Sequence, residues 1–145
     1  MGIASHAEGG LSRAEGQYSH AEGGATKATE RYAHAEGIET IASGIASHAS
    51  GAYTVANQSY QTVVGLYNDY NSEIKGARFV VGAGVGNEKR SNAFTAGNDG
   101  KDNYITIGSI KLTENVLSRL ITFINAIDNS DDFEPESGDP QHDNK

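Results

Sequence analysis

Ser5-His6-Ala7-Glu8-Gly9 reads SHAEG, and the same string returns as SHAEG at 19–23, AHAEG at 33–37 and SHASG at 47–51. His6, His20, His34 and His48 are therefore fourteen residues apart. Ala7, Ala14, Ala21, Ala28, Ala35, Ala42, Ala49 and Ala56 mark a half-period of seven without exception. Ser5, Ser12, Ser19, Thr26, Ala33, Thr40, Ser47 and Thr54 precede those alanines by two, and Gly9, Gly16, Gly23, Gly37, Gly44 and Gly51 follow by two. Glu30 and Gln58 break the glycine column. A period of seven suggests a coiled coil, but a heptad seam needs large apolar residues at two positions, and here alanine stands amid glycine, serine and histidine. Helix is rejected on that ground. In a strand, residues two apart share a face, so Ser5, Ala7 and Gly9 lie on one side and His6 and Glu8 on the other.

Each seven then reads as a short strand and a turn, and two such strands make one coil of a narrow β-solenoid. Equivalent residues of successive coils stack about 4.8 Å apart. The small column faces a thin interior, because only Ser, Ala and Gly let two sheets approach closely. His6, His20, His34 and His48 form a structural ladder, with Glu8, Glu22 and Glu36 beside it on the same face. Arg13, Lys27, Ile41 and Val55 hold the matching position of the other sheet, so the two faces differ chemically. A repeat this small cannot bury its outer face alone, which predicts side-by-side association of several chains.

SHAEG repeated with TIASG, in AHAEGIETIASGIASHASG at 33–51, resembles the head repeats of trimeric autotransporter adhesins. It resembles still more the related SHAEG repeats of bacteriophage tail-fibre and tail-spike proteins. The likeness covers roughly residues 3 to 56 in both pentapeptide and register. It implies a left-handed parallel β-roll, three chains bundled around a threefold axis.

Composition agrees with an extended rather than a layered architecture. Eighteen glycines in 145 residues lie well above the usual share of about 7%. Tryptophan and cysteine are absent, so neither disulfides nor a thiolate metal site can form. The net charge of −8 comes mostly from Asp128, Asp131, Asp132, Glu134, Glu136, Asp139 and Asp143 against Lys145. No basic stripe is present, so no nucleic-acid partner is expected. No apolar run is long enough to span a bilayer, so no membrane insertion is expected. If Met1 is the native start, no secretory signal precedes the repeat.

The fourteen-residue register fades after Asn57 through QSYQTVVGLYNDYN, where the first concentrated large apolar groups occur. Arg78 to Val81 form a β-branched run, GAGVGNEKRSN is a glycine-rich turn region, and NAFTAGNDGKDNYITIGSIKL reads as two strands joined by an Asn-Asp-Gly loop. RFVVGAGVGNEKRSNAFTAGNDG is similar to the segment that follows SHAEG-type repeats in phage tail proteins, with Asn98-Asp99 in place of the aromatic usual before DG. Thr113 is a good N-cap, and Leu112 and Leu117 stand at the hydrophobic-staple positions. A helix from about Glu114 to Ile127 is predicted. An isolated helix of this length is marginal in water, so Leu117, Leu120, Ile121 and Ile124 are expected to pack in a three-helix trimerising cluster. DNSDDFEPESGDPQHDNK reads as a solvated acidic tail or a docking peptide for another virion protein.

The division expected is a β-roll over 1–58, a β-rich transition over 59–111, a helix over 112–127 and an acidic disordered tail over 128–145. Three symmetry-related imidazoles can ligate a divalent ion. A solenoid, however, repeats whatever residue fits one slot, so neutral histidines hydrogen-bonded to Ser or Glu are expected, with no metal and no cofactor. His-Ala-Glu matches half of a zinc-deaminase signature, but the paired cysteines are missing. GAGVGN lacks the βαβ unit of a dinucleotide loop. Ser5, His6 and Glu8 lie on opposite strand faces and cannot form a relay. Tyr18 and Tyr32 recur at the fourteen-residue step and suit sugar stacking on a host surface, or packing between chains.

The expectation is therefore a mainly β, non-enzymatic, homotrimeric phage fibre protein: tail fibre, tail spike or capsid fibre, located on the virion. It would act as a rigid shaft and bind a host cell-surface receptor or glycan. The rivals are a head fragment of a bacterial trimeric autotransporter adhesin at the cell surface, and a trimeric hydrolase of host surface glycans.

Overall fold

The computed structural model describes residues 1–71 and 75–128. Each histidine of the repeats opens a strand: β1 (His6–Glu8), β3 (His20–Gly24), β5 (His34–Ile38) and β7 (His48–Ala52). Between them lie the two-residue strands β2 (Arg13–Ala14), β4 (Lys27–Ala28), β6 (Ile41–Ala42) and β8 (Val55–Ala56). Both sets are parallel and in register at fourteen residues, His6 beside His20, His34 and His48, and Arg13 beside Lys27, Ile41 and Val55. The chain is a β-solenoid. The alanines at 14, 21, 28, 35, 42, 49 and 56 are fully buried between the two sheets, with Thr26, Thr40 and Thr54 beside them. A side chain larger than these would push the thin layers apart, which is why the repeat admits almost nothing else.

The glycine column splits: Gly16 and Gly44 are buried, as expected, whereas the glycines that follow the histidines depart from an interior position. Gly9, Gly23 and Gly51 are exposed, and Gly37 carries φ +104°. A Cβ on Gly37 would collide with the carbonyl oxygen of Gly51 on the next coil. Glycine is there because the backbone is left-handed and the next coil passes close, not because the sheets meet there.

The corners carry a feature that residue types do not announce. Ala4, Leu11, Tyr18, Ala25, Tyr32, Glu39, Ala46, Tyr53, Tyr60 and Tyr67, one in every seven, have φ between 42 and 64°. A left-handed non-glycine residue costs about 1–2 kcal/mol. Stacking offsets that cost, because each corner amide from Tyr18 onward donates to the coil before it, among them Tyr18 to Ile3, Tyr32 to Gln17, Ala46 to Arg31 and Tyr60 to Ile45, at 2.8–3.0 Å.

The sheet does not stop at residue 58. β9 (Thr62–Leu66) stacks on β7 at the same fourteen-residue step, Thr62 beside His48 and Val63 beside Ala49. β10 (Ala77–Ala83) adds in parallel at seventeen residues, Phe79 beside Thr62 and Val80 beside Val63. Val63 and Val80 are buried and continue the alanine column. The sheet then turns antiparallel through β11 (Asn92–Asn98), β12 (Asn103–Ile107) and β13 (Ile110–Thr113), one strand more than the sequence suggests. The Asn-Asp-Gly loop between β11 and β12 is closed by Asp99, whose Oδ1 accepts from Lys101 and Asp102 amides at 3.1 and 3.0 Å. Lys111 Nζ donates to its Oδ2 at 2.8 Å. The Asp102 amide first, then Lys111, holds this carboxyl well below the usual carboxylate range.

The single helix among the described residues, α1 (Glu114–Asp128), forms a separate unit beginning at Asn115. It starts directly after Thr113, at the N-cap position read from the sequence. The acidic tail beyond 128 lies outside the described residues.

Candidate functional site

The outer face of the larger sheet carries the histidine ladder. Rings of His20, His34 and His48 stack with centroids 4.8 and 4.7 Å apart and planes within 9°. His6 meets His20 edge-on at 5.1 Å. The solenoid step sets this spacing, since in-register parallel strands place like side chains one strand apart. Glu8, Glu22 and Glu36 stand in register beside the rings.

The pairing along the ladder is uneven. His6 Nε2 lies 3.4 Å from Glu8, His20 Nε2 4.0 Å from Glu22, and His48 Nε2 3.3 Å from Glu36 of the preceding coil. Because Glu36 leans toward His48, His34 has no carboxylate within 4.0 Å among the described residues. The Nε2 atoms of His20, His34 and His48 are all buried without an aligned hydrogen bond. Burial, and then the charges that His48 and His20 would carry, push the His34 imidazole below its ordinary value. Glu36 is held below the usual carboxylate range, chiefly by a hydrogen bond from Ser50. One oxygen each of Glu22 and Glu36 and one ring nitrogen of His34 lie within 4.8 Å of one another, the one set of three metal-ligating groups so gathered among the described residues.

The Ser5, His6 and Glu8 side chains do not converge as a relay. Ser5 Oγ donates to the Gly2 carbonyl at 2.8 Å, while His6 faces Glu8.

Tyr18 and Tyr32 stand at left-handed corners, half-exposed, with rings stacked at 5.4 Å and 9°. The Arg31 guanidinium lies 5.4 Å from the Tyr32 ring centroid. Tyr60 continues the same corner column beyond Ala46 and is more exposed still. These tyrosines present flat faces at the corners rather than on a strand face. On the other corner column Tyr53 and Tyr67 stack at 4.4 Å and 4°. Glu39 pushes the Tyr53 phenol up.

Three residues that residue-type reasoning passes over close the end of the solenoid. Asn68 falls where Thr54 falls one coil earlier; its Oδ1 accepts from the Val55 amide at 2.7 Å and its Nδ2 donates to the Val55 carbonyl at 3.0 Å. The side-chain amide takes the place of a further strand and satisfies the edge of the smaller sheet. Arg90 donates to the carbonyls of Tyr53 and Asn68 at 2.8 and 3.2 Å and lies over the rings of Tyr67 and Tyr70. Asn92 repeats the Asn68 device on the Asp69 backbone, at 2.9 Å in both directions. The string RSNAF was the available signal, since it holds both Arg90 and Asn92.

On α1, Val116, Leu117, Leu120, Ile121, Phe123, Ile124 and Ile127 are each 39–63% exposed. Leu117, Leu120, Ile121 and Ile124 thus lie on an apolar helix surface that the described residues leave exposed. Comparison with known protein families, with characterised proteins and with solved structures finds no match.

Proposed function

We propose that this chain is a non-enzymatic homotrimeric fibre protein of a bacteriophage, a rigid shaft that presents repeated surfaces to a host cell. The observation that carries the proposal is the β-solenoid built on an unbroken fourteen-residue register. A wall needs the same residues many times, whereas an active site needs them once. Continuous backbone ladders from coil to coil give the stiffness a spacer requires, and the SHAEG repeats resemble those of phage fibres.

The exposed apolar side chains of α1 support self-association, because water-exposed apolar patches of this kind mark interaction surfaces. Three chains around one axis would cover them. The stacked, half-exposed Tyr18 and Tyr32 offer the flat faces on which pyranose rings pack, so a host glycan or receptor is the proposed target. Threefold display turns weak single contacts into lasting attachment, by about 10²–10⁴ over one site.

Light scattering of the full chain at several concentrations tests the proposal. A concentration-independent mass near three times 15.3 kDa supports it. A monomer at every concentration overturns the fibre reading.

A further inference from the structure

The geometry points to a divalent transition-metal site, of the Zn²⁺ class, formed by Glu22, His34 and Glu36 on two successive coils. Three observations meet there. The donor atoms of the three side chains lie within 4.8 Å of one another. The His34 ring is fixed on both sides by stacked neighbours at 4.8 and 4.7 Å, so this ligand is already oriented. Its Nε2 is buried and without a partner, and His34 alone among the four ladder histidines lacks a carboxylate within 4.0 Å among the described residues.

A buried, unpartnered ring nitrogen costs free energy that a water-facing one does not. A cation drawn between Glu22 and Glu36 would satisfy it, with Glu36 turning toward the ion from Ser50 and His48. One imidazole with two carboxylates suits Zn²⁺ and its neighbours better than Ca²⁺ or Mg²⁺, which prefer all-oxygen sites. Bonds of about 2.0–2.2 Å to nitrogen and oxygen require the donors to draw closer than they stand, a movement within reach of the half-exposed glutamates. The ion would join coil two, through Glu22, to coil three, through His34 and Glu36, and so act as a staple along the solenoid. Water would fill the remaining coordination position. The assignment does not depend on the fibre reading, since all three ligands come from one chain.

Titration calorimetry of the full chain with ZnCl₂, after dialysis against EDTA and then buffer, tests it, alongside thermal unfolding with and without the metal. One Zn²⁺ per chain and a raised unfolding midpoint are expected, with MgCl₂ giving neither. H34Q should weaken binding by more than the ~10-fold that losing an outer-shell partner costs, and should abolish the rise in midpoint. E22Q, a substitution on the half-exposed face, should do the same, and it decides the matter if H34Q fails to fold. His142→Ala, which removes the histidine outside the repeats, should leave binding unchanged. Absence of Zn²⁺ binding in the folded wild type overturns the assignment. So does binding that survives both H34Q and E22Q, or that disappears with His142→Ala.

Discussion

At the scale of single residues the solenoid is intolerant where coils touch and tolerant where they do not. Gly37 has a left-handed backbone and a carbonyl of the next coil where a Cβ would sit, whereas nothing lies within 4 Å of a Cβ on Gly10. Gly37→Ala should therefore cost about 1–3 kcal/mol of backbone strain, with the close approach adding to it, while Gly10→Ala should change stability by less than ~0.5 kcal/mol. Paired urea melts of the two variants give the difference; equal midpoints would mean the coils spread freely. The ladder makes a second prediction, about acid. His34 has its imidazole lowered from an ordinary value near 6.5, so above that pH folded and unfolded chains are both neutral there and the ring has no effect. As the pH falls below 6.5 the unfolded chain binds the proton first, and stability drops until the pH passes the lowered folded value. Glu36, also lowered, keeps its contribution above its ordinary 4.5 and loses it as the pH falls through its folded value. Acid unfolding in EDTA should thus proceed through two windows, and H34Q should flatten the one that opens just below pH 6.5 while leaving the lower one. Superimposable wild-type and H34Q curves in the upper window would show that His34 does not take up a proton on unfolding.

At the scale of elements, the strands that repeat were legible and those that end the repeat were not. The alternation of His-Ala-Glu and the columns at fourteen residues predict β1 to β8, their pairing and the buried alanines, because in a solenoid the contact period is the sequence period. β9 keeps the geometry but not the letters, with Thr62 in the histidine column and Val63 in the alanine column. Its kinship with β10 is visible only in the shared VVG of 63–65 and 80–82, which the three extra residues between them obscure. The left-handed corners were illegible because Leu, Tyr and Glu do not favour positive φ; stacking imposes it on them. Asn68 and Asn92 look like loop residues until the strand edge they close is known. The helix was legible at both ends from Thr113 and the apolar run. Its role is open to test. Each Leu or Ile side chain taken out of water contributes about 1.5–3 kcal/mol, so if the chain is the proposed trimer, Leu120→Glu with Ile124→Glu should lower its solution mass to that of a monomer. α1 forms a unit apart from Met1–Glu114, so the repeats should keep their β-type circular dichroism in that variant. An unchanged mass would remove the helix from trimerisation.

At the scale of the whole molecule, the solenoid is a one-dimensional array in which each coil touches only its neighbours, so its stability is close to a sum of coil and interface contributions. The two sheets are chemically unlike, with His and Glu outward on one and Arg13, Lys27, Ile41 and Val55 on the other. Length can therefore change in steps of fourteen residues but not of seven. Removing residues 20–33 joins Ser19 to His34 and lays His34 directly over His6, with the alanine, corner and glycine columns intact. That chain should fold with one coil fewer and a modestly lower unfolding midpoint. Removing residues 20–26 joins Ser19 to Lys27, keeps the seven-residue columns of alanine and corner, and moves every later histidine into the Arg13 column. The first coil then meets the wrong strand: His6 lies over Lys27 of a two-residue strand, and Gly9 loses the Gly23 carbonyl it was fitted to, while Gly37 and Gly51 keep their own fourteen-residue partners. Circular dichroism melts of the two deletions separate the cases: a cooperative transition near wild type for the longer deletion, and a transition lowered much further, or lost, for the shorter one. Equal melting of the two would mean that the half-period of seven is the structural unit and that the two faces are interchangeable, which would also remove the reason for a ladder confined to one of them.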